Sequence, residues 1–226
     1  MFYEPAKNDH GLPFNPYKSI VVPRPIGWIT TVDRDGAINL APYSQFNNLG
    51  YDPPYVMFSS GSDPANGGPK DSARNALLTG EFVTNMATWE LREQVNVTAQ
   101  MVPSDVNEAE LAGLELVPST LVRPPRVKAS PVQLECRYHA TLTLPGHSID
   151  NLVYVVVGQV IGVHISDDVI DERGRIDILK CRPLARMGYF DYTSVESVFE
   201  MAPEGPNVEF MRRGLEGRAR GKQAAE

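Results

Sequence analysis

"RPIGWITTVDRDGAINLAPYSQFNNLGYDPPYVMFSSG", residues 24–61, alternates strand-forming runs with turn signals, and its reading decides the fold. "IGWITTVD" (26–33) is rich in β-branched residues and reads as a strand. "DRDG" (33–36) is a hairpin turn signal, with Gly36 free to take a positive φ. "AINLAPYS" begins the return strand, and "PPYVMFSS" (53–60) is a third, nearly continuous apolar strand. Such a run is buried on both faces, or belongs to a barrel and is covered from outside. Before the third strand lie Ala41, Ser44, Gln45, Asn47 and Asn48, with no charge until Asp52. This stretch reads as a wide, neutral, donor-rich loop.

Working outward, residues 1–18 are rich in Pro, Gly and Asn and form an irregular arm. "GSDPANGGPK" (61–70) is almost all breaker residues. "DSARNALLTG" (71–80) reads as a short helix capped by Asp and Ser and stopped at Gly80. A strand follows at 81–88, then helices over 89–100 and 106–114. The second half is strand-rich. "VQLECRYHATLTL" (132–144) puts Leu134, Cys136 and Tyr138 on one face. "NLVYVVVGQVIGVHIS" (151–166) is a long strand in which Gly158 and Gly162 signal bulges. "PGHSID" joins these two, "DERGR" is a further turn, and "CRPLARMGYFDYTSV" closes the fold. Six or seven strands with a few short helices and no βαβ rhythm predict a mainly β, antiparallel barrel. The domain is expected to span residues 1–202, arm included. Residues 203–226 form a C-terminal basic extension carrying Arg212, Arg213, Arg218, Arg220 and Lys222.

Composition narrows the function classes. The 226 residues carry a net charge of -7, which argues against a nucleic-acid binder that works by bulk electrostatics. No apolar run approaches the roughly 20 residues that span a bilayer. The N-terminus has no signal-peptide pattern, and Cys136 and Cys181 form no CxxC, so a cytoplasmic location is expected. There is no GxGxxG and no GxSxG. Pro69 breaks the only stretch with a P-loop flavour. The four histidines, His10, His139, His147 and His164, lack metal-ligand spacing, so no metal site is expected; His139 and His164 read as ordinary sheet residues.

What remains is a set of donors at strand ends and in adjoining loops: Thr30, Thr31, Ser44, Gln45, Asn47, Asn48, Ser59, Ser60, Lys70, Ser72 and Asn75. Turns favour these residue types in any case, so only their joint placement points to a ligand. Serine hydroxyls with a lysine at a helix N-terminus make a phosphate seat. Amides on a wide loop suit an acceptor-rich heteroaromatic ring. A flavin mononucleotide has that shape.

Residues 13–61, followed by "KDSARNALLTGEFVTNMAT" and "PPRVKASPVQLEC", strongly resemble the flavin reductase-like, FMN-binding split-barrel family, over roughly residues 14 to 192. The resemblance implies a six-stranded split barrel, FMN at a homodimer interface and NAD(P)H as reductant. It implies that "NLAPYSQFNN", Phe46 included, runs along the isoalloxazine ring. By the same resemblance "SSG" and "KDS" lie near the ribityl phosphate, and Arg186 in "RPLARMGYFDY" reaches the flavin. The implied activity is an NAD(P)H:flavin reductase with an oxygenase or another electron-acceptor protein as partner. A flavoprotein electron carrier and a non-catalytic flavin-binding protein are the alternatives. "VNVTAQ" (95–100) departs from the "MNATS" of many relatives. The tail beyond about 195 has no counterpart in the family.

Overall fold

A computed structural model describes residues 1–64, 67–147, 151–201 and 205. The chain divides into a unit of residues 1–196 and a second unit of residues 197–226. The second is described only at 197–201 and 205, where it has no strand or helix. The expected extension 203–226 therefore lies almost wholly outside the described residues.

The first unit contains strands β1 (Arg24–Pro25), β2 (Gly27–Val32), β3 (Ile38–Tyr43), β4 (Phe46–Tyr51), β5 (Pro54–Gly61) and β6 (Glu81–Met86). They are followed by β7 (Leu116–Val117), β8 (Arg126–Val127), β9 (Val132–Pro145), β10 (Leu152–Ile165), β11 (Leu184–Gly188) and β12 (Asp191–Ser194). The helices are α1 (Asp71–Thr79), α2 (Arg92–Val97), α3 (Glu108–Leu111) and α4 (Ile178–Cys181). The main sheet has seven strands in the order β3-β2-β6-β9-β10-β5-β4, every pair antiparallel.

That order dictates closure. β3 and β4 are consecutive in the chain yet lie at opposite edges of the sheet, and only Ser44 and Gln45 separate them. Three Cα–Cα steps span at most about 10 Å, so the two edges must meet. The sheet curls into a barrel with its split at this link. Gly27 of β2 and Phe46 of β4 touch across it: a Cβ on Gly27 would lie 2.5 Å from the Phe46 ring.

The stretch read as a wide loop is thus a two-residue bend flanked by strands, and β4 is the seventh strand that the six-strand expectation omits. Asn47, Asn48 and Gly50 are poor strand formers. Their pairing with β5, from Phe46↔Phe58 to Tyr51↔Pro54 with a register shift between Asn48 and Gly50, overrides local preference.

The other elements follow from local chemistry. Asp33 Oδ1 accepts from Asp35 N and Ala37 N, and Gly36 takes φ 94°, which fixes the β2–β3 turn. Gly80 stops α1 in the left-handed region. Asp71 is the first residue of α1 and not its cap; Lys70 holds the cap position without a side-chain cap bond. Helix α2 is shorter than its pattern: residues 89–91 and 98–100 are turns and bends, and Trp89 N donates to Arg182 O on the approach to β11. Strand β10 is bulged at Val157/Gly158 and Val160/Gly162. Gly158 lies against Phe82, whose ring a Cβ would meet at 2.4 Å.

Inside the barrel Ile29, Val56, Phe58, Phe82, Cys136 and Val156 form one buried cluster, with Leu134 and Tyr138 packed on it. Trp28, Leu40, Val95, Val127 and Leu184 form a second on the outer side of β2, which is why every residue of that strand is buried. A small sheet, β1-β11-β12, carries Arg186 and Tyr192.

Candidate functional site

The split of the barrel opens into a cavity of about 290 Å³. Its walls come from the end of β3 (Tyr43), the link Ser44–Gln45, the end of β5 (Ser59, Ser60), Lys70 at the head of α1, and Arg186 and Tyr192. A second chamber of about 640 Å³ adjoins it and shares Pro42, Tyr43, Lys70 and Ala99. The closure described above holds the Ser44–Gln45 and Ser59–Ser60 walls. Ser59 N donates to Gln45 O at 2.8 Å, so the β5 end and the β3–β4 link brace each other.

Two features make the cavity chemically unfinished. Ser60 is buried, and its Oγ has no hydrogen-bond partner among the described residues. Lys70 forms no ion pair with any described residue. Buried hydroxyls are nearly always paired, and an orphan points to a missing ligand or water. Facing them, the Arg186 guanidinium donates to Tyr192 Oη and Tyr189 O. It also stacks over the Tyr192 ring at 4.5 Å, a cation held in place by its own hairpin.

Thr30, Thr31, Ser72 and Asn75 are tied into buried polar bonds on the two faces of β2. Asn39 Nδ2 donates to Ser72 Oγ at 2.8 Å and to Thr31 Oγ1 at 3.4 Å, and Asn75 Nδ2 donates to Thr31 Oγ1 at 3.3 Å. Thr30 Oγ1 accepts from Asn85 Nδ2 at 2.9 Å. Burial pushes the Tyr43 hydroxyl up to about 12; the Ser72 hydroxyl bond opposes this, and Asp71 and Glu108 add to it. Tyr43 is therefore neutral at physiological pH and serves as a hydrogen-bonding wall, not a base. Burial likewise raises the Glu108 carboxyl, against a bond from Leu40 N.

Of the sequence candidates, Ser44, Gln45, Ser59, Ser60, Lys70 and Arg186 come together on the cavity. Thr30, Thr31, Ser72 and Asn75 are buried and do not line it. Phe46 packs against the barrel core, while Asn47 is exposed on β4. Ile26, Pro42, Tyr43, Ala99 and Tyr192 line the cavity without having been singled out from the sequence. Tyr43 and Tyr192 lie inside the family-like segments 39–48 and 182–192; Ile26 and Ala99 are apolar and carry no signal of their own.

The model of the flavin reductase like domain matches residues 19–189. The chain belongs to this family. It is 36% identical over 169 residues to an uncharacterized protein of Aquifex aeolicus, covering 75% of this chain and 83% of that one. Among solved structures, nitrilotriacetate monooxygenase component B from Bacillus cereus superposes with a TM-score of 0.81 at 27% identity, over 89% of this chain and 98% of that one. A putative flavin reductase with split barrel domain from Shewanella frigidimarina superposes with a TM-score of 0.72 at 23% identity, over 84% of this chain and 90% of that one, and shares the fold. The family member described here is thus a split barrel, with its cavity at the split.

Proposed function

We propose that the protein is an FMN-dependent oxidoreductase, an NAD(P)H:flavin reductase that passes reducing equivalents through bound FMN to an acceptor. The observation that carries this reading is the cavity at the split, where Ser59 and Ser60 share a wall with Lys70, a cation that forms no ion pair with any described residue. A phosphate monoester supplies both the acceptor and the negative charge that such a wall requires. Ser59, Ser60 and Lys70 would hold the phosphate, Ser44 and Gln45 would flank the ring, and Arg186 with Tyr192 would close the side. When bound, the isoalloxazine supplies a two-electron acceptor between NAD(P)H and the next acceptor. The chain's own part is to bind, orient and exclude water. The neutral Tyr43 hydroxyl holds its proton near the shared wall of the two chambers.

The similarity to a monooxygenase component B supports an oxygenase as the physiological partner. Two buried, free cysteines are compatible with a reducing, cytoplasmic setting.

The experiment is anaerobic rapid mixing of the FMN-loaded protein with NADH or NADPH, followed at the flavin absorption bands. Bleaching within seconds by one of the two is expected. Flavin that stays oxidised with both, but is reduced by a protein donor, would replace the reductase with an electron carrier.

A further inference from the structure

The ends of β8, β9 and β10 enclose a separate pocket of about 400 Å³ that shares no residue with the flavin cavity or its adjoining chamber. Arg126, Lys128, Ser130, Gln133, His164 and Ser166 give it its polar lining, and no carboxylate among the described residues lines it. A concave cluster of cations and hydroxyls stands out on a chain whose net charge is -7.

Its donors are preorganised. Arg126 Nε and Nη2 donate to Pro118 O at 3.3 and 3.1 Å, and Nη1 donates to Gln133 Oε1 at 3.1 Å. A guanidinium has five N–H groups, so two remain for a ligand. His164 is fixed from behind. Its Nε2 lies 2.5 Å from Oε1 of Glu135, a fully buried carboxylate that also accepts from Thr120 N and Leu121 N at 2.7 and 2.6 Å. With Nε2 committed, Nδ1 is the ring nitrogen left for the pocket. Lys128 pairs with Glu115 at 2.7 Å, but both side chains are exposed, so this pair is weak and releases the ammonium readily.

We propose that this pocket is a second anion site that takes a phosphate group, held by Arg126 with Lys128 as the adjustable second cation and with the His164 ring beside them. The phosphate belongs either to the free ion or to a phosphate monoester, for which the volume leaves room.

The test uses the full chain with FMN present, so that the flavin cavity is filled. The His164 Cε1–H proton resonance is assigned by its loss in His164→Gln, whose amide can still donate to Glu135. Inorganic phosphate and ribose 5-phosphate are then titrated at constant pH and ionic strength, with potassium chloride as control. A saturable shift with phosphate is expected. Tighter binding of ribose 5-phosphate would support the site and identify an ester as its ligand. Arg126→Gln should weaken binding roughly tenfold, as for the loss of one charge-assisted bond, with FMN retained. Lys128→Gln, a change at the exposed rim, should weaken it less. A shift that is linear in phosphate, matched by chloride or unchanged in Arg126→Gln would overturn the site.

Discussion

Ser60 and Lys70 define the account at the scale of single residues. A hydrogen bond from a charged group such as the Lys70 ammonium to a phosphate contributes about 1.5–3 kcal/mol. Lys70→Ala should therefore weaken FMN about tenfold to a hundredfold, the range of a hydrogen bond to a charged group. Riboflavin, which lacks the phosphate, should be nearly unaffected. Quenching of flavin fluorescence on titration measures both, and equal losses for the two ligands would remove Lys70 from the phosphate seat. A second residue-level prediction concerns Glu135. Burial raises its carboxyl, but the Thr120 amide, the His164 side chain and the Leu121 amide outweigh it and hold the group below its usual value. A lowered value in the folded state contributes stability above the ordinary carboxylate range and loses it as the pH falls through that range and below. Glu135→Gln should be less stable at pH 7 by about 1–3 kcal/mol, with the gap to the wild type narrowing below about pH 4. Urea melts at several pH values read this directly; a gap that persists unchanged at low pH would show that the carboxylate's charge is not what stabilises. The sequence pattern concealed this pair. Alternation places Leu134, Cys136 and Tyr138 on the core face, so Glu135 reads as an outward residue until the 118–124 segment covers it.

At the scale of elements, the two-residue link between β3 and β4 makes the barrel and the site at once. Gly27 lets the edges meet. A Cβ there would lie 2.5 Å from Cδ2, 2.7 Å from Cγ and 3.1 Å from Cβ of Phe46, so the clash reaches the root of the side chain and a rotation cannot relieve it. Gly27→Ala should cost about 1–3 kcal/mol, as overpacking does. It should also loosen FMN binding, because Phe46 adjoins Gln45 on the cavity wall. A thermal melt paired with an FMN titration checks both; unchanged values would mean that the edges tolerate separation. Most elements were legible in the sequence, since β2, β5, β9 and β10 have β-branched or apolar runs bounded by turns. Strand β4 was not, because amides and glycine mask a strand whose pairing is long-range. Helix α2 was overextended because turns at 89–91 and 98–100 carry the same residue types as the helix between them. The site was half legible. Loop chemistry singled out Ser44, Gln45, Ser59, Ser60 and Lys70, but the same residue types at Thr30, Thr31, Ser72 and Asn75 serve a buried network. One sequence cannot separate a hydroxyl facing a ligand from one facing an amide.

At the scale of the molecule, the curled sheet leaves Leu49 and Tyr51 on β4 and Leu142 and Leu144 on β9 exposed. Apolar side chains on strands of this kind are commonly covered by a second copy, and a two-fold dimer is the commonest solution. Light scattering should give about twice the 25.0 kDa chain mass with flavin bound; a monomer that retains flavin would contradict the dimer.

The central claim is that the cavity at the split is built for a flavin mononucleotide. The most direct measurement is the identity and stoichiometry of the chromophore released from the purified protein, by mass and absorbance. The account predicts FMN at about one per chain, as one phosphate seat per chain requires. FAD as the released species, or a colourless protein that does not take up added FMN, would contradict it.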